Sequence, residues 1–212
     1  MEKFIKDKDI SSYAIDFPIH TSDKKNFVLK WAMVKKMLSD IHAHPDKKNI
    51  FGYMVEINSF KGMFSVMREM LETQESFQLF LRKKLKDQYV AFEHVIRFLR
   101  NALNHIETAD VKLTLAHFIK QKDYLYRGQQ ISKISFVMKY ADYFVERKWS
   151  KDYGLHIEID FHTLKEWQKL FDIVPLHQIY LLAEFCFNLS EIFRGTMKTS
   201  PKKMNSKISK KL

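Results

Sequence analysis

Between Phe27 and Leu103 apolar residues return at intervals of three and four, and beyond that point the interval falls to two. The first spacing is one face of an α-helix, and the second is a strand with one buried face. The chain must therefore pack long helices together with a small sheet. Three stripes define the helices. Phe27, Trp31, Val34, Leu38 and Ile41 form the first, with Ser22 at an N-cap position and an end near His44-Pro45. Tyr53, Ile57, Phe60, Phe64, Met67 and Leu71 form the second, in which Gly52 and Gly62 weaken the helix or mark close packing. After a break at Thr73 to Ser76, the third and longest carries Leu85, Tyr89, Phe92, Ile96, Leu99 and Leu103, and its signal fades after Ile106.

Alternation then takes over. Val111, Leu113 and Leu115 alternate with Lys112, Thr114 and Ala116, and Leu155, Ile157, Ile159 and Phe161 with His156, Glu158 and Asp160. Ser132 to Lys148 fits a helix by the spacing of Ile134, Val137, Met138, Ala141 and Phe144. It fits strands by its β-branched and aromatic content, and we read at least one strand there. Two further helices follow, over Thr163–Phe171 and Pro175–Arg194, with Pro175 in a first-turn position and Gly195 as a C-terminal cap. The last is apolar on nearly every side, the mark of a centrally buried helix. The expected fold class is mainly α, α+β by content. It is a four-helix up-and-down bundle with a small antiparallel β insertion, about residues 110–162, between the third and fourth bundle helices. One domain over residues 1–197 is expected, followed by a tail over 198–212.

Composition narrows the class. With 46% hydrophobic and 14% aromatic residues the chain is no disordered polymer. A single cysteine, Cys186, excludes an internal disulfide and the usual cysteine-based zinc sites. It lies in the apolar run Ile179 to Leu189 and reads as core filler. The N-terminal residues mix charges without an apolar signal core. The most lipid-like segment, Ile179 to Phe193, is interrupted by Glu184, Asn188 and Glu191 and is shorter than the roughly 20 residues of a membrane span. A soluble cytoplasmic protein without membrane contact is expected. The net charge is +11, and the stretch from Lys198 to Leu212 holds six lysines and no acid. Such a tail reads as disordered. It attracts polyanions without sequence preference, or simply solubilises the chain.

The third stripe has a second side. Advancing about 100° per residue from Arg100, the apolar set falls between roughly 220° and 340°. Glu93, His94, Arg97, Asn101, Asn104 and His105 fall between roughly 20° and 140°. Asn101 and His105 are four apart and can meet, which would orient the imidazole. Arg100 stands about 140° from His105, so one helix cannot bring both onto one group without a substrate or a second copy between them. A solvated helix face looks the same, with Glu93 pairing Arg97 at four residues.

The series Arg100-Asn101-x-x-x-His105 resembles the R-x4-6-H motif of the HEPN superfamily, whose second position is commonly Asn. That resemblance implies a helical bundle with the motif late in the third helix. It implies a metal-independent endoribonuclease that needs no cofactor and dimerises so that two motifs face one cleft. Such domains often act as toxins or antiviral effectors, which adds a possible antitoxin protein to RNA as a partner. By the same resemblance His105 is general acid or base, Arg100 binds the scissile phosphate, and Asn101 orients His105 or holds the scissile group. Arg97 and Asn104 make secondary contacts to the substrate. Toxins paired with nucleotidyltransferase antitoxins carry a tyrosine two residues after the histidine, where this chain has Glu107. Some members bind RNA without cutting it, so a non-catalytic RNA-binding module and a helical dimerisation scaffold are the rival readings.

Other constellations carry less. His42-Ala43-His44, His156 and His162 lack a matching cysteine or carboxylate spacing, and no metal site is expected. No GxxxxGK[ST], GxGxxG or GxSxG series occurs. Glu184, Asn188 and Glu191 form a polar line on the last helix that faces the site or pairs across the bundle.

Overall fold

Phe27, Val34, Leu38 and Ile41 are buried along one side of α1 (Thr21–Ala43), and Ile57, Phe60, Phe64, Met67 and Leu71 along one side of α2 (Ile50–Thr73). The computed structural model describes residues 21–43, 50–104, 125–126, 129–138, 154–165 and 168–199. The two helices run antiparallel, because Lys30 bonds to Glu69 (3.0 Å) and Thr73 (2.8 Å), while Met37 lies against Gly62. A Cβ on Gly62 would stand 2.5 Å from Met37 Cε, so this glycine does mark close packing. Ser22 lies inside α1 rather than at its cap.

The long third helix is in fact two. α3 (Glu75–Leu85) follows α2 after Gln74 alone; a 3₁₀ turn over Lys86–Gln88 then leads into α4 (Tyr89–Asn104). Lys86 has φ 49° and ψ −119°, and its N–H bonds back to the Arg82 carbonyl. A positive φ on a residue with a Cβ costs about 1–3 kcal/mol. The apolar stripe cannot reveal the break, because Leu85 and Tyr89 are still four apart and both buried.

The turn has a structural return. β3 (Lys133–Met138) pairs antiparallel with β4 (Leu155–Asp160), Phe136 opposite Ile157 and Val137 opposite His156. This confirms the strand read into Ser132 to Lys148 and the alternation from Leu155. Ile134, Phe136, Met138, Leu155, Ile157 and Ile159 are buried on one face. A two-stranded sheet has two open edges, and both are answered by glutamines. Gln88, at the end of the 3₁₀ turn, accepts the Val137 N–H at 3.0 Å, and buried Gln178 accepts the His156 N–H at 2.8 Å. The sheet is thereby clipped to the helices on both sides. A second ladder joins β1 (Leu125–Tyr126) to β2 (Gln129–Gln130). The strand expected over Val111–Ala116 lies outside the described residues.

The helix expected over Thr163–Phe171 does not form. The Asp160 carboxylate accepts the His162 N–H (2.9 Å), and the Asp160 carbonyl accepts from both Thr163 N–H (3.2 Å) and Thr163 Oγ1 (2.9 Å). These local bonds make a turn in place of a helical start. Among the described residues between β4 and the last helix, α6 (Leu176–Thr199), only α5 (Leu170–Ile173) is helical. Pro175 sits one residue ahead of α6 as its cap, accepting from Gln178 N–H and Ile179 N–H. The helix runs on through Gly195, which is buried within it and does not end it.

α6 is central, as its all-round apolar character requires. Phe193 lies 4.8 Å from Phe27, 5.2 Å from Phe77 and 5.2 Å from Phe80, centroid to centroid. Phe185 lies 5.8 Å from Phe92 and 5.9 Å from Phe136, and these two are 5.6 Å apart. This second cluster ties α4, β3 and α6 together. Cys186 is wholly buried, and burial pushes its thiol far above the ordinary range, which suits filler and not a reactive group. The fold is mainly helical with a small antiparallel sheet that falls between α4 and α6 in the chain. No helix among the described residues is long and apolar enough to cross a membrane.

Removing one clip tests the arrangement. Gln178→Leu leaves the His156 N–H without its acceptor and lowers the unfolding free energy by about 1–3 kcal/mol in urea titration. Unfolding unchanged from wild type would show that the clip is dispensable.

Candidate functional site

Of the residues singled out by spacing, Glu93, His94, Arg97, Arg100, Asn101 and Asn104 belong to α4, and packing explains how they are held. Phe92, Ile96, Leu99 and Leu103 press one side of α4 into the core, and Val95, Phe98 and Ala102 are buried beside them. Phe98 meets Phe161, just past β4, at 6.0 Å. The buried sector is thus wider than the apolar stripe, because the end of the sheet covers a second flank.

What remains is a narrow polar face. Arg97, Arg100, Asn101 and Asn104 are each half-buried on it. Arg100 Nη1 donates to Asn101 Oδ1 at 3.0 Å. Arg97 Nε is buried and has no acceptor among the described residues. No Glu93–Arg97 ion pair forms among the described residues, and neither arginine pairs with a described carboxylate. The structure therefore brings four of the five expected site residues onto one face. The fifth, His105, lies outside the described residues. The amide of Asn101 is turned to Arg100.

His94 departs from expectation. It falls in the polar sector by angle, yet it is only 9% exposed. Burial first, and the neighbouring charge of Arg97 second, lower its pKa from 6.5 to about 4. The imidazole is neutral at pH 7. It lines an open cleft of about 350 Å³ between α4 and the start of β3, with Val90, Ala91, Ile131 and Lys133. Spacing along α4 carries no trace of this cleft, because its opposite wall comes from a strand far along the chain. The only signal was the imidazole in a sector of charged and amide groups.

The remaining candidates resolve into packing. Glu184 is buried and meets His42 of α1 at 3.4 Å, and Glu191 pairs with Arg194 one turn on. Arg194 in turn lies 4.2 Å over the Trp31 ring. So the polar line on α6 pairs across to α1 and along its own helix. Asn188 Oδ1 is buried without a partner among the described residues. His156 lies 3.5 Å from Glu158 on the exposed face of the sheet, and His44 lies outside the described residues. No group of three or more His, Cys, Asp or Glu among the described residues could hold a metal ion.

Fold and site define a helical domain with a clipped two-stranded sheet and a half-buried cationic helix face. Comparison with protein-family models, with curated proteins and with solved structures finds no match for the chain.

The burial of His94 sets a pH dependence. Its folded pKa is depressed, so between about 4 and 6.5 the unfolded chain binds a proton that the folded one refuses. Stability falls as pH drops through that window. His94→Gln, neutral throughout, should lose less Tm than wild type between pH 7 and pH 4.5. Parallel losses in the two proteins would contradict the burial of a neutral imidazole.

Proposed function

We propose that the chain is a HEPN-like, metal-independent endoribonuclease built on a four-helix up-and-down bundle and active as a homodimer. The observation that carries this reading is the pair Arg97 and Arg100, half-buried on one helix face without an ion pair to a described residue. A guanidinium withdrawn from water and left without a carboxylate calls for an anion, and its planar fork suits a phosphate. Asn101 holds Arg100 in place, and Asn104 lies one turn further along the same face. The resemblance of Arg100-Asn101 and His105 to the HEPN motif supplies the chemistry, and no cofactor enters it.

In this mechanism the ribose 2′-hydroxyl attacks the adjacent phosphorus. His105 takes the hydroxyl proton as the new P–O bond forms. The P–O5′ bond breaks, and the leaving oxygen takes a proton from the same residue of a second copy. The products are a 2′,3′-cyclic phosphate and a free 5′-hydroxyl. Arg100 binds the phosphate and answers the charge that builds on its oxygens, with Arg97 and Asn104 as secondary contacts. The wide angle between Arg100 and His105 on one helix is met by a dimer whose two motifs face one cleft. The cellular context that goes with the motif is a cytoplasmic toxin or phage-defence effector, held in check by an antitoxin protein. Glu107 in place of the usual tyrosine argues against control by modification of that position.

Incubation of the purified protein with single-stranded RNA in EDTA tests the reading. Cutting should persist in EDTA, leave cyclic phosphate ends, and fall by about 10²–10⁴-fold in His105→Ala. Arg100→Ala should lose activity comparably. Tight binding without cutting would replace the nuclease by an RNA-binding module. A solution mass of one chain would remove the two-motif cleft.

A further inference from the structure

The cleft between α4 and β3 has no part in the chemistry above. Val90, Ala91, Ile131 and Ile134 give it apolar walls; His94 and Ile134 are its buried members, and Val90, Lys133 and Ser135 its exposed ones. Resting on the RNA reading of the α4 face, we propose that this cleft receives one unstacked base of the strand whose phosphate Arg97 and Arg100 hold.

Three observations converge on a base. The volume, about 350 Å³, is at the low end for ligand sites, and suits a single flat ring system better than a larger ligand. The buried lining is apolar apart from one neutral imidazole, so the cleft offers no buried charge for a second phosphate. Lys133 lies 3.5 Å from Glu158 at the exposed rim, which already answers its charge. Phosphate binding is left to the arginines.

Position supplies the link. Ala91, His94, Arg97 and Asn101 follow at intervals of three, three and four along α4, so cleft and cationic face are neighbours. At 1.5 Å per residue, Ala91 and Arg97 are about 9 Å apart along the axis, a span short enough for a base and a nearby phosphate. Sequence-selective proteins read single-stranded RNA by taking up splayed bases in this way. The cleft would make cutting depend on the base next to the scissile bond.

Binding of two fluorescent oligonucleotides to the full-length protein in EDTA tests the proposal. One is a 2′-O-methyl single strand, which lacks the attacking hydroxyl and cannot be cut. The other has the same length and charge but abasic positions. The protein should bind the first about tenfold more tightly, the contribution of one buried base. Ala91→Phe, which fills the cleft, should bring the two within about twofold and leave abasic affinity unchanged. Ser135→Leu narrows the cleft from an exposed strand position and gives the same answer should Ala91→Phe fail to fold. Equal affinity of the wild-type protein for the two strands, or tenfold selectivity kept in the folded variants, overturns the base site while the RNA reading stands. Binding to neither strand overturns both.

Discussion

The contact among Phe92, Phe136 and Phe185 is the one on which the rest of the site depends. Three rings from α4, β3 and α6 meet at centroid distances of 5.6–5.9 Å. Two strands alone are marginal in water. This sheet persists because its buried face is pressed against two helices and its edges are answered by Gln88 and Gln178. With the sheet in place, α4 is covered on two flanks. Burial of His94, the cleft beside it and the narrow polar face with Arg97 and Arg100 all follow.

That face runs against the usual economy of a folded protein. A buried donor without an acceptor costs about 1–3 kcal/mol, and Arg97 Nε is one. Lys86 adds a backbone in a disfavoured region. Departures of this kind are tolerated where the surrounding core over-determines the structure, and they gather at functional sites. Here they have two different explanations. The Lys86 turn delivers Gln88 to the sheet and is structural. Arg97 Nε finds no acceptor among the described residues and Arg100 only the amide of Asn101, and in the function proposed above an external anion completes them.

α1, α2 and α4 were legible because each keeps one buried stripe, and α6 because it is apolar on nearly every side. The break at Lys86 was not, since a change of chain direction that preserves the four-residue step from Leu85 to Tyr89 leaves the pattern intact. β3 was ambiguous because Val137, 46% exposed, fills a solvent position with an apolar residue and blurs the alternation of Ile134, Phe136 and Met138. The false helix after β4 came from spacing alone, where Asp160 instead bonds the backbone of the next residues into a turn. Gly195 read as a stop because glycine is common there, yet the helix packs it inside. That Arg97, Asn101 and Asn104 share one polar sector of α4 was legible from angle, whereas Arg100 was singled out by the motif. The burial of His94 was not legible, because it depends on a strand that joins α4 only in the folded chain.

Above all, we propose that the α4 arginines hold a phosphate. Nitrogen-15 NMR of the arginine Nε–H groups tests it most directly, during titration with a short uncleavable single-stranded RNA. The Arg97 and Arg100 signals should shift together and saturate at one affinity, because both guanidinium groups gain an anion. RNA binding that leaves both signals unmoved would show that these arginines hold no phosphate.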